Sequence, residues 1–174
     1  FSTELEGRKR WEYRPNENGL LYEVHEVDKE YIYDDKLAQI SPFEVDHKPV
    51  EPAYGYKIEF KEKGESKKIV VSGDTRKSHN LIKHSYKANA LVHEVFVGLD
   101  FDENRMTKKT LENVAAYHTL PTEVGEVAKE ALVEKLILTH FVPPVFDEKK
   151  LKKEVGEIFK GEIVIGKDRL AIEV

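Results

Sequence analysis

Three short apolar runs stand out of a highly charged chain, and each stops at a side chain with chemistry to offer. Ile69-Val70-Val71 is β-branched throughout and reads as a strand buried on both faces, with Ser72-Gly73-Asp74-Thr75 turning off its end. Lys135 to Phe141 repeats the plan: Leu136-Ile137-Leu138 leads to Thr139-His140, and Pro143-Pro144 forbids further strand. Ala90 to Phe96 is the third run and carries His93-Glu94. The pattern therefore predicts strands that deliver Asp74, Glu94 and His140 to one rim.

Upstream of Asp74 the periodicity is that of strands. Tyr22–Val27 and Tyr31–Tyr33 read as a hairpin-like pair broken at 28–30, with His25 a surface or sheet-edge histidine. Gln39–His47 alternates with a slip at Pro42 and reads as an edge or bulged strand ending in Asp46-His47. Ala53–Phe60 places Tyr54, Tyr56, Ile58 and Phe60 on one face, and Lys61–Lys68 reads as a charged turn around Gly64.

Downstream the period becomes helical. Leu81, Ile82 and Tyr86 share a stripe in 77–86, with Thr75 or Ser78 as cap. Residues 100–109 read as a polar loop or short helix, and 111–117 as a short helix before His118. Val124, Val127, Ala128, Ala131 and Leu132 form one face after Pro121, which suits the first turn. Asp147 caps a last helix with Leu151, Val155, Ile158 and Phe159 on one side, ended by Gly161. Glu162–Ile165 and Leu170–Val174 then predict a closing strand pair across Gly166-Lys167-Asp168. The fold class is α/β, a mixed sheet flanked by helices.

Composition narrows the chemistry. A chain of 174 residues is expected to be one domain, 1–174, or part of one, and no apolar run approaches the roughly 20 residues of a membrane span. The 28 basic residues against 33 acidic give a net charge of −5, which disfavours a dedicated nucleic-acid binder while leaving room for a local basic patch. With no cysteine, any metal must be held by histidine and carboxylate, and a reducing cytoplasm is the expected compartment. The chain opens on Phe1 and reads as cut or processed at its amino end.

The rim then offers His47, Asp74, Glu94, His118 and His140, the last two beside a helix entry and a strand end. Imidazole and carboxylate suit hard or borderline ions such as zinc or manganese, and an aspartate can bridge two of them. His79 and His84 lie about 140° apart around a helix and cannot share an ion. No P-loop, dinucleotide fingerprint or nucleophile elbow is present.

The order of these motifs resembles a family. Val45-Asp46-His47 with Pro52-Ala53-Tyr54-Gly55-Tyr56, then Ser72-Gly73-Asp74-Thr75, His93-Glu94, Tyr117-His118-Thr119 and Leu138-Thr139-His140-Phe141 resemble the carboxy-terminal half of the metallo-β-lactamase fold. The likeness runs from about Gln39 to Val174 and is greatest to the arylsulfatase-like and ribonuclease Z group. His93-Glu94-Val95 points to the arylsulfatase-like members, because the ribonuclease Z version usually continues with alanine and threonine.

That resemblance implies an αββα sandwich of which this chain is half or more, with an apolar sheet face where the amino-terminal half docks. It implies a metal-bridging role for Asp74 and a metal-ligand role for His140. His118 would meet charge on the leaving or non-bridging oxygen, Glu94 would orient it, and His47 would be a pocket or supporting residue. The family's His-x-His-x-Asp-His motif is absent from these seven histidines, so the two-ion site would be completed by a missing half or a partner chain. The cofactor implied is zinc, with manganese or iron as substitutes. The function implied is metal-dependent hydrolysis of ester substrates, arylsulfatase-like or phosphodiesterase, with hydroxide as nucleophile. Transfer-RNA 3′-end processing of the ribonuclease Z kind and a non-catalytic interaction module are the alternatives. A homo-oligomer is expected of the full-length form, no membrane is involved, and nucleic acid is the less favoured ligand.

Overall fold

The computed structural model describes residues 32–98 and 107–174. Seven strands form one sheet in sequence order: β1 (Tyr33–Asp34), β2 (Ala38–Val45), β3 (Ala53–Glu62), β4 (Glu65–Val71), β5 (Ala90–Phe96), β6 (Lys135–Val142) and β7 (Glu162–Ile165). β1 to β4 pair antiparallel and β4 to β7 pair parallel, giving a mixed sheet. Among the described residues four helices are interleaved: α1 (His79–Ser85), α2 (Lys108–Ala115), α3 (Pro121–Glu130) and α4 (Glu148–Ile158).

The parallel strands are added one after another in the same direction. Right-handed crossovers between such strands put their helices on a single face. Accordingly α1 packs on β2 to β4, α3 on β5 and on α1 and α4, and α4 on β7. Val70, Leu91, Leu136 and Ile163 are register partners across four strands and point into this helix layer, where Leu81, Val124, Val127, Leu151 and Val155 meet them. Their neighbours Ile69, Val71, Val92 and Val164 point to the opposite face, with Ile58 of β3 beside Ile69, and are only partly buried. No described helix is long and apolar enough to cross a membrane.

The caps follow the sequence. Ser78 accepts from the Leu81 N–H, and Asp147 Oδ1 accepts from Lys149 and Lys150 N–H. Leu120, at the start of α3, has no side-chain acceptor; its own N–H is met instead by Glu123 Oε2 at 3.0 Å. Lys77 donates to Glu130 at 2.7 Å and Glu126 at 3.0 Å, fastening the segment after Asp74 to α3. Those bonds raise the Lys77 pKa.

Of the two alternatives for β2, edge or bulged, the structure shows an edge strand beyond Ile40 among the described residues, and two other sequence expectations are corrected. β2 has no bulge, because its register against β3 is unbroken from Ala38 to Val45. Ala38 and Ile40 direct their carbonyls to Asp35 and Ile32 N–H, so Pro42 two residues on turns its donor-less nitrogen to the side where β1 has already ended. Lys61–Lys68 is mostly strand: only Lys63 (φ +50°) and Gly64 (φ +88°) form the turn, a two-residue hairpin loop. Leu170–Val174 is not a strand. β7 arrives through α4 and so lies parallel to β6, after which Gly166 N–H bonds Leu138 O and a turn at 167–170 carries the chain off the ladder. The 22–27 strand with His25, and residues 100–106, lie outside the described residues.

Candidate active site

Glu94 is the hub of the rim. It lies inside β5 with its side chain 1% exposed, pointing away from the helix layer, while His93 beside it points into that layer. One carboxylate oxygen, Oε1, accepts from His118 Nδ1 at 3.2 Å, Thr119 N–H at 3.0 Å and Thr75 N–H at 3.3 Å. A carboxylate only accepts, so the Nδ1 of His118 carries the proton and Nε2 is the atom turned away. The Glu94 N–H donates to Ser72 Oγ, which donates to Gly73 O. Thr119 Oγ1 donates to Thr75 O at 2.5 Å. The segment after β4 and the entry to α3 are thereby tied through one buried residue. The second oxygen, Oε2, has no partner among the described residues.

Asp74 and His140 are delivered differently. Gly73 has φ +62°, and a Cβ there would lie 2.3 Å from Tyr54 O, so the turn that swings Asp74 outward requires glycine. In β6, Thr139 pairs with Glu94 but Phe141 pairs with Val95, which leaves His140 as an inserted residue at φ +44°. Regular alternation would have sent His140 into the helix layer with Leu138. The bulge re-aims it, as bulges beside functional sites do. Its Nε2 comes to 3.3 Å from Asp74 Oδ2, with the two side chains 51% and 42% exposed.

His47 completes the cluster from the end of β2. Its Nδ1 donates to Tyr117 O at 2.8 Å. Its ring meets His118 edge-on at 5.1 Å and Tyr117 at 5.2 Å, and His118 lies 5.9 Å from His140. All five predicted residues thus belong to one neighbourhood, with His118 at its centre. Thr75, Thr119, Ser72 and Tyr117 hold it together; the sequence motifs contain all four, without a site role for any of them. For Ser72, Thr75 and Thr119 the signal was a hydroxyl residue next to a strand or helix end, where side chains bond local backbone; Tyr117 acts through its backbone carbonyl and its ring, which no residue type announces.

Asp74 and His140 have the donor chemistry that suits zinc; among the described residues neither has a hydrogen-bond partner, and their one polar contact is the approach to each other. They fit such an ion as part of a ligand set: no group of three or more histidines and carboxylates placed to hold a metal occurs among the described residues.

Ribonuclease Z from Mycobacterium marinum is 30% identical to this chain over 154 residues, covering 87% of the chain and 53% of the relative. The metallo-β-lactamase fold protein YhfI from Bacillus subtilis superposes with a TM-score of 0.62 at 25% identity, covering 92% of this chain and 60% of that one. The chain has the metallo-β-lactamase fold and is ribonuclease Z-like. Human tRNase Z, short form, shares the fold at a TM-score of 0.53 and 22% identity, over 82% of this chain and 46% of that one. No family model matches. The ribonuclease Z-like chain spans about half the length of the curated relatives it matches.

These relatives favour the ribonuclease alternative over the arylsulfatase-like reading. Val95, on which that reading leaned, is fully buried in the helix layer, so its identity reports on packing rather than on substrate.

Proposed function

We propose that this chain is the carboxy-terminal part of a metal-dependent ribonuclease Z-like enzyme that processes the 3′ ends of transfer-RNA precursors. The observation that carries the proposal is the 30% identity to a ribonuclease Z along 87% of the chain, over the stretch that holds the clustered site. Asp74 and His140 would hold a divalent ion, zinc in the first instance, with the remaining ligands supplied by an amino-terminal half. Such an ion supplies Lewis-acid polarisation of a phosphoryl oxygen and makes a water more acidic.

The other steps belong to this chain. Glu94 fixes the ring of His118 through Nδ1–H; in the imidazolium form Nε2 also carries a proton and gives it to the oxygen that leaves as a water oxygen bonds phosphorus and the phosphorus–oxygen bond breaks, which returns the ring to its Nδ1–H tautomer. His47, held through Nδ1 by Tyr117, packs against the His118 ring and limits its rotation. Thr75 and Thr119 keep the Asp74 turn and the His118 turn in fixed relation, so that ligand and proton donor face the same phosphate.

The test uses the protein purified from its source without chelator, incubated with a transfer-RNA precursor carrying a 3′ trailer and, in parallel, with an aryl sulfate ester. The expected result is cleavage of the precursor, abolished by chelation and lowered roughly 10²-fold or more by His118→Ala. Turnover of the sulfate ester without RNA cleavage would overturn the ribonuclease reading. Inactivity on every substrate with metal supplied would leave the non-catalytic interaction module.

A further inference from the structure

β4 and β5 end at the candidate active site and begin at a groove of about 500 Å³ at the other end of the sheet. Five lysines line it: Lys36 from the β1–β2 turn, Lys61 from β3, Lys67 and Lys68 from β4, and Lys87 ahead of β5. Only two carboxylates accompany them, in a chain whose net charge is −5. Each of those is already engaged: Asp35 accepts from Leu37 N–H, Ala38 N–H and the Tyr33 hydroxyl, and Glu59 pairs with Lys57 at 2.7 Å. The groove is therefore a local reversal of the molecule's charge.

The lysines differ in what they are free to do. Lys68 donates to Tyr86 O and is partly desolvated, which holds its pKa down; it is a structural member. Lys67 has a loose ion pair with Glu65 at 3.7 Å, and Lys87 lies over the Tyr86 ring. Lys36 and Lys61 are exposed and have no partner among the described residues. Compact ammonium groups spread over two strands and two loops, in a concave surface, suit successive phosphates of one backbone better than a single small anion. Lys68 lies three residues before the end of β4, about 10 Å along the strand, and Asp74 lies beyond that end across the Gly73 turn. A folded RNA cut at the rim is long enough to reach that far.

We propose that this groove is a phosphate-backbone contact surface for the body of the RNA substrate, remote from the cleavage site. The inference rests on the ribonuclease reading above for the identity of the polyanion.

The test is binding of a fluorescently labelled mature transfer-RNA transcript to the 174-residue chain, followed by anisotropy over a range of salt concentrations. Lys36→Ala with Lys61→Ala is expected to weaken binding roughly tenfold or more at low salt and to reduce the salt slope by roughly 1.4 to 1.8. Lys152→Ala with Lys153→Ala, removing the same charge from the exposed side of α4, is expected to leave both nearly unchanged. Unaltered urea midpoints confirm that the variants fold. Equal weakening by the two pairs, or none by the groove pair, would overturn the groove. So would a groove pair that governs binding to phosphatidylserine-containing vesicles and leaves RNA binding unmoved. If precursor cleavage fails while the groove pair still controls RNA binding, the nuclease reading falls and the RNA surface stands; if cleavage holds and the pair is silent, only the groove falls.

Discussion

Two carboxylate–imidazole pairs stand side by side at the rim with nearly the same separation, 3.2 Å for Glu94 with His118 and 3.3 Å for Asp74 with His140. The first pair is 1% and 6% exposed; in the second, Asp74 is 42% and His140 51% exposed. In the buried pair one oxygen gathers three donors from two chain segments, so the interaction fixes geometry. In the exposed pair neither group has another partner among the described residues, so the interaction leaves lone pairs for a ligand. Separation alone does not distinguish a strut from a ligand set; burial and the count of other bonds do. An exposed pair contributes about 0 to 1 kcal/mol to stability, whereas opening a buried one by removing one member costs about 3 to 5 kcal/mol.

The largest effect is therefore expected at Glu94. Glu94→Ala strips the acceptor from His118 Nδ1 and from the Thr75 and Thr119 N–H groups together, and each buried donor left unmet costs about 1 to 3 kcal/mol. Urea unfolding should show a loss of about 3 to 5 kcal/mol, while Glu94→Gln, which keeps an acceptor oxygen, should lose about 1 kcal/mol. An alanine variant within about 1 kcal/mol of the parent would mean the buried pair is no strut.

An intermediate effect is expected at His93, the buried imidazole on the other side of β5. Its Nδ1 bonds Glu94 O at 2.7 Å, its Nε2 has no partner among the described residues, and burial holds its pKa below the ordinary 6.5, opposed weakly by the Glu94 charge. The unfolded chain takes up a proton near pH 6.5 that the folded chain refuses, so this site favours folding above that pH and loses stability as pH falls below it. One such proton contributes a slope of about 1.4 kcal/mol per pH unit. His84, stacked on Phe43 and also held low mainly by burial, bends the curve the same way. The reading is therefore the difference between the parent and His93→Leu in urea unfolding from pH 7.5 to 5. The variant should decline less steeply, and parallel curves would show that His93 accepts its proton inside the fold.

Much of this contrast was legible in the sequence, and the illegible part has physical causes. Apolar runs interrupted by Asp74, Glu94 and His140 gave the strands and their common rim, because side-chain period and burial are local properties. The bulge at His140 depends on register against β5, which no single segment encodes. For the same reason the alternation in Leu170–Val174 suggested a strand, which has no partner to pair with among the described residues. The lysine groove was hidden likewise: positions 36, 61, 67, 68 and 87 form no charge run, and only the pairing of β2, β3 and β4 draws most of them together. Net charge argued against a nucleic-acid partner because it averages over a surface that the fold divides.

The smallest stability effect is expected in the exposed pair, and it is the most telling. Asp74→Asn preserves shape and the outward turn at Gly73, removing only charge from a side chain already in contact with water. Its urea midpoint should correspond to a change within about 0.5 kcal/mol. On the proposed reading, zinc added to the parent chain raises its thermal midpoint by binding the folded state, and the Asn variant shows a reduced shift because one of two donors has lost its charge. A stability loss as large as that of Glu94→Ala would make the two pairs alike. An undiminished zinc shift would place the ion on ligands other than Asp74, and with it the reacting phosphate away from the Nε2 of His118.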